Sequence, residues 1–289
     1  MLAPAVTVIV GVSSALVFGA ADFLGGIASR RMAAIRVTAI SAVVGVFVML
    51  LAYPLIGGTW SAQALLWGGL SGVTGAIAIS LLYACLAIGP MSILSPLTAV
   101  VSAIVPMTFG LVRGERLGPL GYVALAVALV AVVLVGFVKE KNAVRPSLRG
   151  ILMAIGSGAM IGAFLVLIDQ TPDDSGLVPL IANRGVSGLI LTLAVGVLWL
   201  RSRDRNGSAR PDRTTLLLAI ACGVVDAVAN MGLLLGLRLG DLTVMSVLTA
   251  LYPAGTIILA AIVLKERIAP IQAVGLVLAL AAAAMLALA

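Results

Sequence analysis

The sequence predicts an all-α integral membrane protein with ten transmembrane helices in a 5+5 inverted repeat. Three features lead there: composition, the length of the apolar runs and an internal duplication. Of the 289 residues, 62% are hydrophobic and only 10% charged. The mean hydropathy is +1.24, whereas a soluble domain is roughly 45–50% apolar. A helix needs about 20 apolar residues to cross the hydrocarbon core, and ten runs qualify. They are too long, and too rich in Ala, Leu and Gly, to show the dyad alternation of a membrane barrel.

In chain order, the first span is expected at Ala5–Ala28, closed by Ser29-Arg30-Arg31, and the second at Ile35–Ile56. No basic stretch precedes the first run, so it reads as a retained helix rather than a cleaved signal. The third and fourth, Leu65–Ala87 and Met91–Val112, are joined by the tight turn GPMS, and a Gly114-Glu115-Arg116-Leu117 turn leads to the fifth, Leu117–Val138. A basic linker, KEKNAVRPSLRG, precedes the sixth span at Gly150–Ile168. The turn TPDDSG leads to the seventh at Leu177–Leu200, and RSRDRNGSARPDR to the eighth at Thr214–Leu237. The short GDLT connection opens the ninth, Leu242–Leu264, and Glu266-Arg267 separates it from the tenth, Ala269–Ala289. Connections of a few residues make consecutive helices antiparallel neighbours.

The halves are copies. A shift of 151 residues lays Leu82–Val138 over Leu233–Ala289 without a gap, with 17 identities in 57 positions. The polar matches carry most weight. Gly89 falls on Gly240, Ser95-x-Leu97-Thr98-Ala99 on Ser246-x-Leu248-Thr249-Ala250, Glu115-Arg116 on Glu266-Arg267, and Pro119 on Pro270. The chain thus divides into a first five-helix unit (1–138), a linker (139–149) and a second unit (150–289). Five is odd, so the units enter the membrane in opposite orientations, the inverted repeat that transporters use around a site at the repeat interface.

The segment from Leu81 to Gly136, with its echo ending LKERIAP, resembles the EamA-type repeat of the drug/metabolite transporter superfamily. The likeness rests on the Gly89-Pro90 turn, the Gly114-Glu115-Arg116-Leu117 turn and an Arg near the start of each unit's second helix, Arg36 and Arg184. It implies ten helices, the first four of each unit around a central cavity and the fifth of each at the periphery. It leaves the substrate open, since relatives move amino acids, nucleobases, sugar derivatives and drugs.

The chain has no histidine, which removes His-ligated metal sites and His-dependent catalysis. Cys85 and Cys222 lie in apolar runs and read as small hydrophobes. No phosphate-binding Gly-Lys loop is present, and no metal or cofactor is expected. The net charge of +7 sits in short loops facing an anionic leaflet and does not point to nucleic acid. Loops after spans one, three, five, seven and nine hold 13 Lys and Arg, and those on the other side only Arg113, Arg116 and Arg238. By the positive-inside rule, the basic side is cytoplasmic and both termini are outside, in a multi-pass plasma-membrane protein.

Asp226, the thirteenth of 24 residues in its span, stands where a carboxylate costs about 2.5–3.5 kcal/mol on insertion scales, with Asn230 on the same face at i+4. It is either a cavity group that binds a cation or proton, or a buried packing residue. Asp22 pairs with Arg36 across the first turn or reaches the cavity. Arg184 binds an anionic group with its planar fork or snorkels to the interface. Ser95, Thr98, Ser246 and Thr249 bond back to their own helices or line a path beside Pro96, Pro106 and Pro253. Tyr83 and Tyr252 are candidates for stacking on a substrate. Glu115 and Glu266 read as caps of the helices that follow them, and glycine pairs such as Gly68–Gly72 and Gly158–Gly162 as close helix contacts. The expected activity is secondary transport of a small polar or amphipathic metabolite or drug, with protons as coupling ions. The rivals are a polytopic enzyme acting on lipid-linked substrates, which lacks the clustered acids or metal ligands it needs, and a channel. Monomer and homo-oligomer are equally compatible with the sequence.

Overall fold

The computed structural model describes residues 2–88, 91–136, 147–201, 212–265 and 267–289. The Gly89-Pro90 turn, Glu266 and most of the two basic connections lie outside the described residues, as do the side chains of Tyr83, Cys85, Ser95 and Pro96. The helices are α1 (Leu2–Ser29), α2 (Ala34–Ile56), α3 (Ala62–Ile88), α4 (Met91–Val112), α5 (Pro119–Gly136), α6 (Leu148–Asp169), α7 (Val178–Arg201), α8 (Arg213–Leu239), α9 (Leu242–Thr249), α10 (Tyr252–Val263) and α11 (Pro270–Leu288). Among the described residues there is no strand, and nine helical segments are long and apolar enough to cross a membrane, with α9–α10 counted as one.

Local chemistry accounts for the starts and stops. Ser147 accepts a hydrogen bond from the Gly150 amide at 3.1 Å and caps α6, satisfying one of the orphan donors of a helix start. Pro270 begins α11, where its missing N–H costs nothing, and Gln272 Oε1 reaches back to accept from the Ala269 amide. The expected ninth span is present as Leu242–Val263, with a break at Ala250-Leu251 that divides it into α9 and α10. Pro253 has no amide to donate to the Thr249 carbonyl, so the ladder cannot run through this position. The chain instead closes a tighter turn, with Leu251 donating to Leu248 and Ala254 to Leu251.

Packing runs mainly between the halves. α1 lies along α8 and the α9–α10 pair, α3 along α6 and α7, α2 against α7 and α8, α4 against α6 and α9, and α5 against α11. The anticipated glycine contacts are present. A Cβ on Gly72 would fall 2.5 Å from the Asn183 carbonyl oxygen, one on Gly158 2.6 Å from that of Thr98, and one on Gly162 2.7 Å from Val105 Cβ. One apolar core joins α1, α4, α5, α9 and α11 through residues such as Val132, Val247 and Leu248. A second joins α2 and α6 to α9 through Met49, Ile168, Leu180, Leu233 and Leu242. Leu51, Leu55, Leu193 and Leu280 stand exposed on the outside, as a lipid-facing surface requires.

Candidate functional site

Two adjacent chambers lie between the halves and share Thr38, Ile79, Arg184 and Asp226 in their walls. The wider, about 690 Å³, runs inward from Ser29, Arg30 and Ala34 at the α1–α2 turn, past Asp22 and Ser41, to Cys222, Asp226 and Tyr252. The narrower, about 160 Å³, continues beyond the shared wall among Phe18, Gly75, Phe164, Asn183 and Asn230. No residue of α5 or α11 lines either chamber.

At the junction, Arg184 Nη2 stands 2.6 Å from Asp226 Oδ2, with both side chains mostly buried. Asn230 donates from Nδ2 to the Asp226 backbone carbonyl at 2.8 Å and to Oδ1 at 3.3 Å. The approach of the guanidinium to Oδ2 is close without being aligned for a hydrogen bond. Asp226 Oδ2 and Arg184 Nε therefore keep unused hydrogen-bonding capacity although both atoms are buried. Gly45 on α2 faces the Arg184 stem, where a Cβ would lie 3.4 Å from Arg184 Cδ, in ordinary contact. Next to the pair, Asn183 donates to Ser71 Oγ at 2.8 Å and ties α7 to α3. Snorkelling is thus not what Arg184 does; its charge is spent inside the molecule.

The other candidates separate. The expected Asp22–Arg36 pair is not among the ion pairs of the described residues. Asp22 is exposed by area yet sits in the wall of the wider chamber, with Tyr252 and Cys222 in the same wall. Thr98 donates to the carbonyls of Leu94 and Ala154, at 3.0 and 3.2 Å, and Ser246 to that of Thr243 at 2.8 Å. Both are buried and bond backbone rather than line a path. Thr249, beside the α9–α10 break, keeps a buried hydroxyl without a partner. Thr38, Ser41 and Asn183 line the chambers and were not singled out from the sequence. Their signal, one small polar group per helix turn, is common in any membrane helix.

The end of the molecule away from the α1–α2 turn is shut. The second apolar core fills it, and loops lace over it. Leu177 donates to the Gly57 carbonyl and Thr59 to that of Asp174. Gly57, Gly58 and Gly176 have positive φ, and the backbones of Gly58 and Gly176 meet with no space for a Cβ. Arg238, at the end of α8, donates to the carbonyls of Thr171 and Pro172 at 2.8 and 3.0 Å and pairs with Asp173 at 3.1 Å. TPDDSG is thus a turn that also receives Arg238. Arg113 pairs with Asp169 at 3.4 Å. Glu115 corrects its expected role as a cap of the helix that follows it. Its carboxylate accepts from the amides of Leu242 and Thr243, at 3.1 and 2.9 Å, and so caps α9 in the other half. Gly110 makes the space, because a Cβ there would strike the Glu115 carboxylate.

Residues 148–288 match the model of the EamA-like transporter family. A solved crystal structure is similar along 96% of this chain and 97% of its own, with a TM-score of 0.76 and 17% identity. At that identity the likeness is one of fold. No curated protein matches the sequence. The region that supplies Arg184, Asp226, Asn230 and Tyr252, residues 148–288, is a domain of the EamA-like transporter family, carried by a multi-pass membrane protein.

Proposed function

We propose that the chain is a secondary transporter of the drug/metabolite superfamily. In this reading it has ten spans in a 5+5 inverted repeat and exports a small polar or amphipathic metabolite across the plasma membrane in exchange for protons. The observation that carries this is the Arg184–Asp226 pair at the junction of two chambers between the halves. Packing supports the repeat. Exchanging the halves turns α1–α8 into α6–α3, α2–α8 into α7–α3, and α4–α6 into the contact of α9–α10 with α1. A cavity that runs inward from one end and is shut at the other suits alternating access better than a channel. Arg30 and Arg31 of the basic side lie at the end from which the wider chamber runs inward, so this state faces the cytoplasm by the positive-inside rule.

Asp226 is assigned the coupling role. When its proton arrives, the pair with Arg184 loses its charge attraction, and the helices α7 and α8 that carry the pair are freed to move. Thermal-shift screening of purified protein against metabolite pools identifies the substrate, and proteoliposomes then report flux. The variant of choice neutralises both partners, Arg184→Gln with Asp226→Asn, so that no lone charge stays buried. It should lose uptake driven by a pH gradient while keeping counterflow. Gradient-driven flux per folded molecule equal to wild type would remove Asp226 from coupling.

A further inference from the structure

The chambers face their contents with four charged side chains among the described residues: Asp22 from α1, Arg30 from the turn just after it, Arg184 from α7 and Asp226 from α8. They are not equivalent. Arg184 and Asp226 neutralise one another at 2.6 Å. Arg30 stands at the mouth, eight residues beyond Asp22, or about 12 Å along the helix. Asp22 is left as a carboxylate that joins no ion pair among the described residues. It lies about 10 Å of helix rise in from the end of α1, while Asp226 lies about 20 Å in from the start of α8. A solute entering from the α1–α2 turn therefore meets Asp22 first. The remaining wall is mostly apolar: Ala21, Val37, Ile79 and Leu82 around the wider chamber, and Phe18 and Phe164 around the narrower. The other described titratable groups on this chamber are Tyr252 from α10 and Cys222 from α8, and α2 contributes only the hydroxyls of Thr38 and Ser41.

We infer that Asp22 is the binding site for the ammonium group of an amine substrate whose apolar body lies along the chamber wall towards Phe18 and Phe164. The inference rests on the transporter reading above and narrows its substrate to organic cations. A zwitterion is disfavoured, because its carboxylate would need the guanidinium that Asp226 holds. An anion would meet the unpaired Asp22 carboxylate, while of the two guanidinium groups Arg184 is held by Asp226 and Arg30 stands at the mouth. A carboxylate that receives the ammonium can also receive a proton, so ligand and proton compete for it.

The test uses four isosteres that share a phenyl body: phenethylamine, phenylalanine, 3-phenylpropionate and 2-phenylethanol. Binding to the purified full chain is measured by calorimetry, with melting curves as the control for folding. Phenethylamine should bind at least about tenfold more tightly than the other three, a difference of about 1.4 kcal/mol, and its affinity should fall as the medium is acidified. Asp22→Asn should abolish that preference at an unchanged melting temperature, and Asp22→Glu should restore part of it. Absence of amine binding, equal binding of the alcohol or zwitterion, or an Asp22→Asn protein that still prefers the amine would overturn the assignment. Counterflow separates the two readings. Flux of a non-cationic substrate that survives Asp22→Asn leaves a transporter without this amine site. Amine binding lost in Asp22→Asn, with no counterflow by wild type, supports the site and removes the transport reading.

Discussion

Asp226 and Arg184 show how a residue that is costly alone becomes tolerable as a pair. Taking one partner away leaves the other charged in a mostly buried place. Either single variant, Asp226→Asn or Arg184→Gln, should therefore lower the melting temperature, by an amount corresponding to roughly 1–3 kcal/mol, between the values for exposed and fully buried pairs. The double variant should recover most of that loss in a double-mutant cycle, and additive losses would mean the pair does not interact as drawn. Glycine makes the complementary point. A Cβ on Gly19 would lie 2.5 Å from the Tyr252 carbonyl oxygen and 2.6 Å from Gly255 Cα, while Thr256 donates to the Gly19 carbonyl across the same contact. Gly19→Ala should force α1 from α10 and destabilise the protein by about 1–3 kcal/mol, read as a lower melting temperature in detergent. Gly75→Ala serves as the control. A Cβ there meets nothing within 4 Å, so the fold should be unaffected.

At the scale of elements, the start of α9 holds two carboxylates, the capping Glu115 and Asp241 just before the helix. Burial, with Glu115 as the second cause, holds the Asp241 carboxyl above the usual carboxylate range. The folded chain thus holds that proton more tightly than the unfolded chain does. Stability from Asp241 is fully present below its unfolded value near 3.9 and is lost as the pH rises through the raised folded value. Asp241→Asn should raise the melting temperature at neutral pH, and the gain should vanish below about pH 4. A melting temperature unchanged at neutral pH would show that the carboxylate is not strained there. Asp212 behaves oppositely. Its hydrogen bond with the Thr215 hydroxyl, ahead of the nearby Arg31, holds its carboxyl below the usual range, so its contribution is lost on acidification.

For the whole molecule, the wider chamber runs inward from the end that carries Arg30 and Arg31, and the opposite end is laced shut by Arg238, Glu115 and the 171–177 turn. The positive-inside rule predicts a cytoplasmic location for the basic end. A C-terminal fusion to a phosphatase that folds only outside the cytoplasm should be active, and one to a fluorescent protein that matures only inside should be dark. The reverse pattern would make this an outward-facing state and invert the direction in which Asp22 loads.

Helix content and most span boundaries were legible in the sequence, because apolar run length is a local property that survives without coordinates. Asp226 and Asn230 were legible for the same reason: helical periodicity alone puts i and i+4 on one face. The partners of Arg184 and Glu115 were not. Asp226 lies 42 positions beyond Arg184 and Leu242 lies 127 beyond Glu115, and which groups meet across such separations depends on how helices of opposite halves cross. The break at Ala250-Leu251 falls between these cases. Pro253 announced that one hydrogen bond would be missing, but a membrane helix often bends around proline without ending. Only the close approach of α1 at Gly19 shows the break in its tertiary setting. Sequence thus determined which charges the membrane must tolerate, and tertiary packing decided which of them are neutralised and which, like Asp22, still face the chamber.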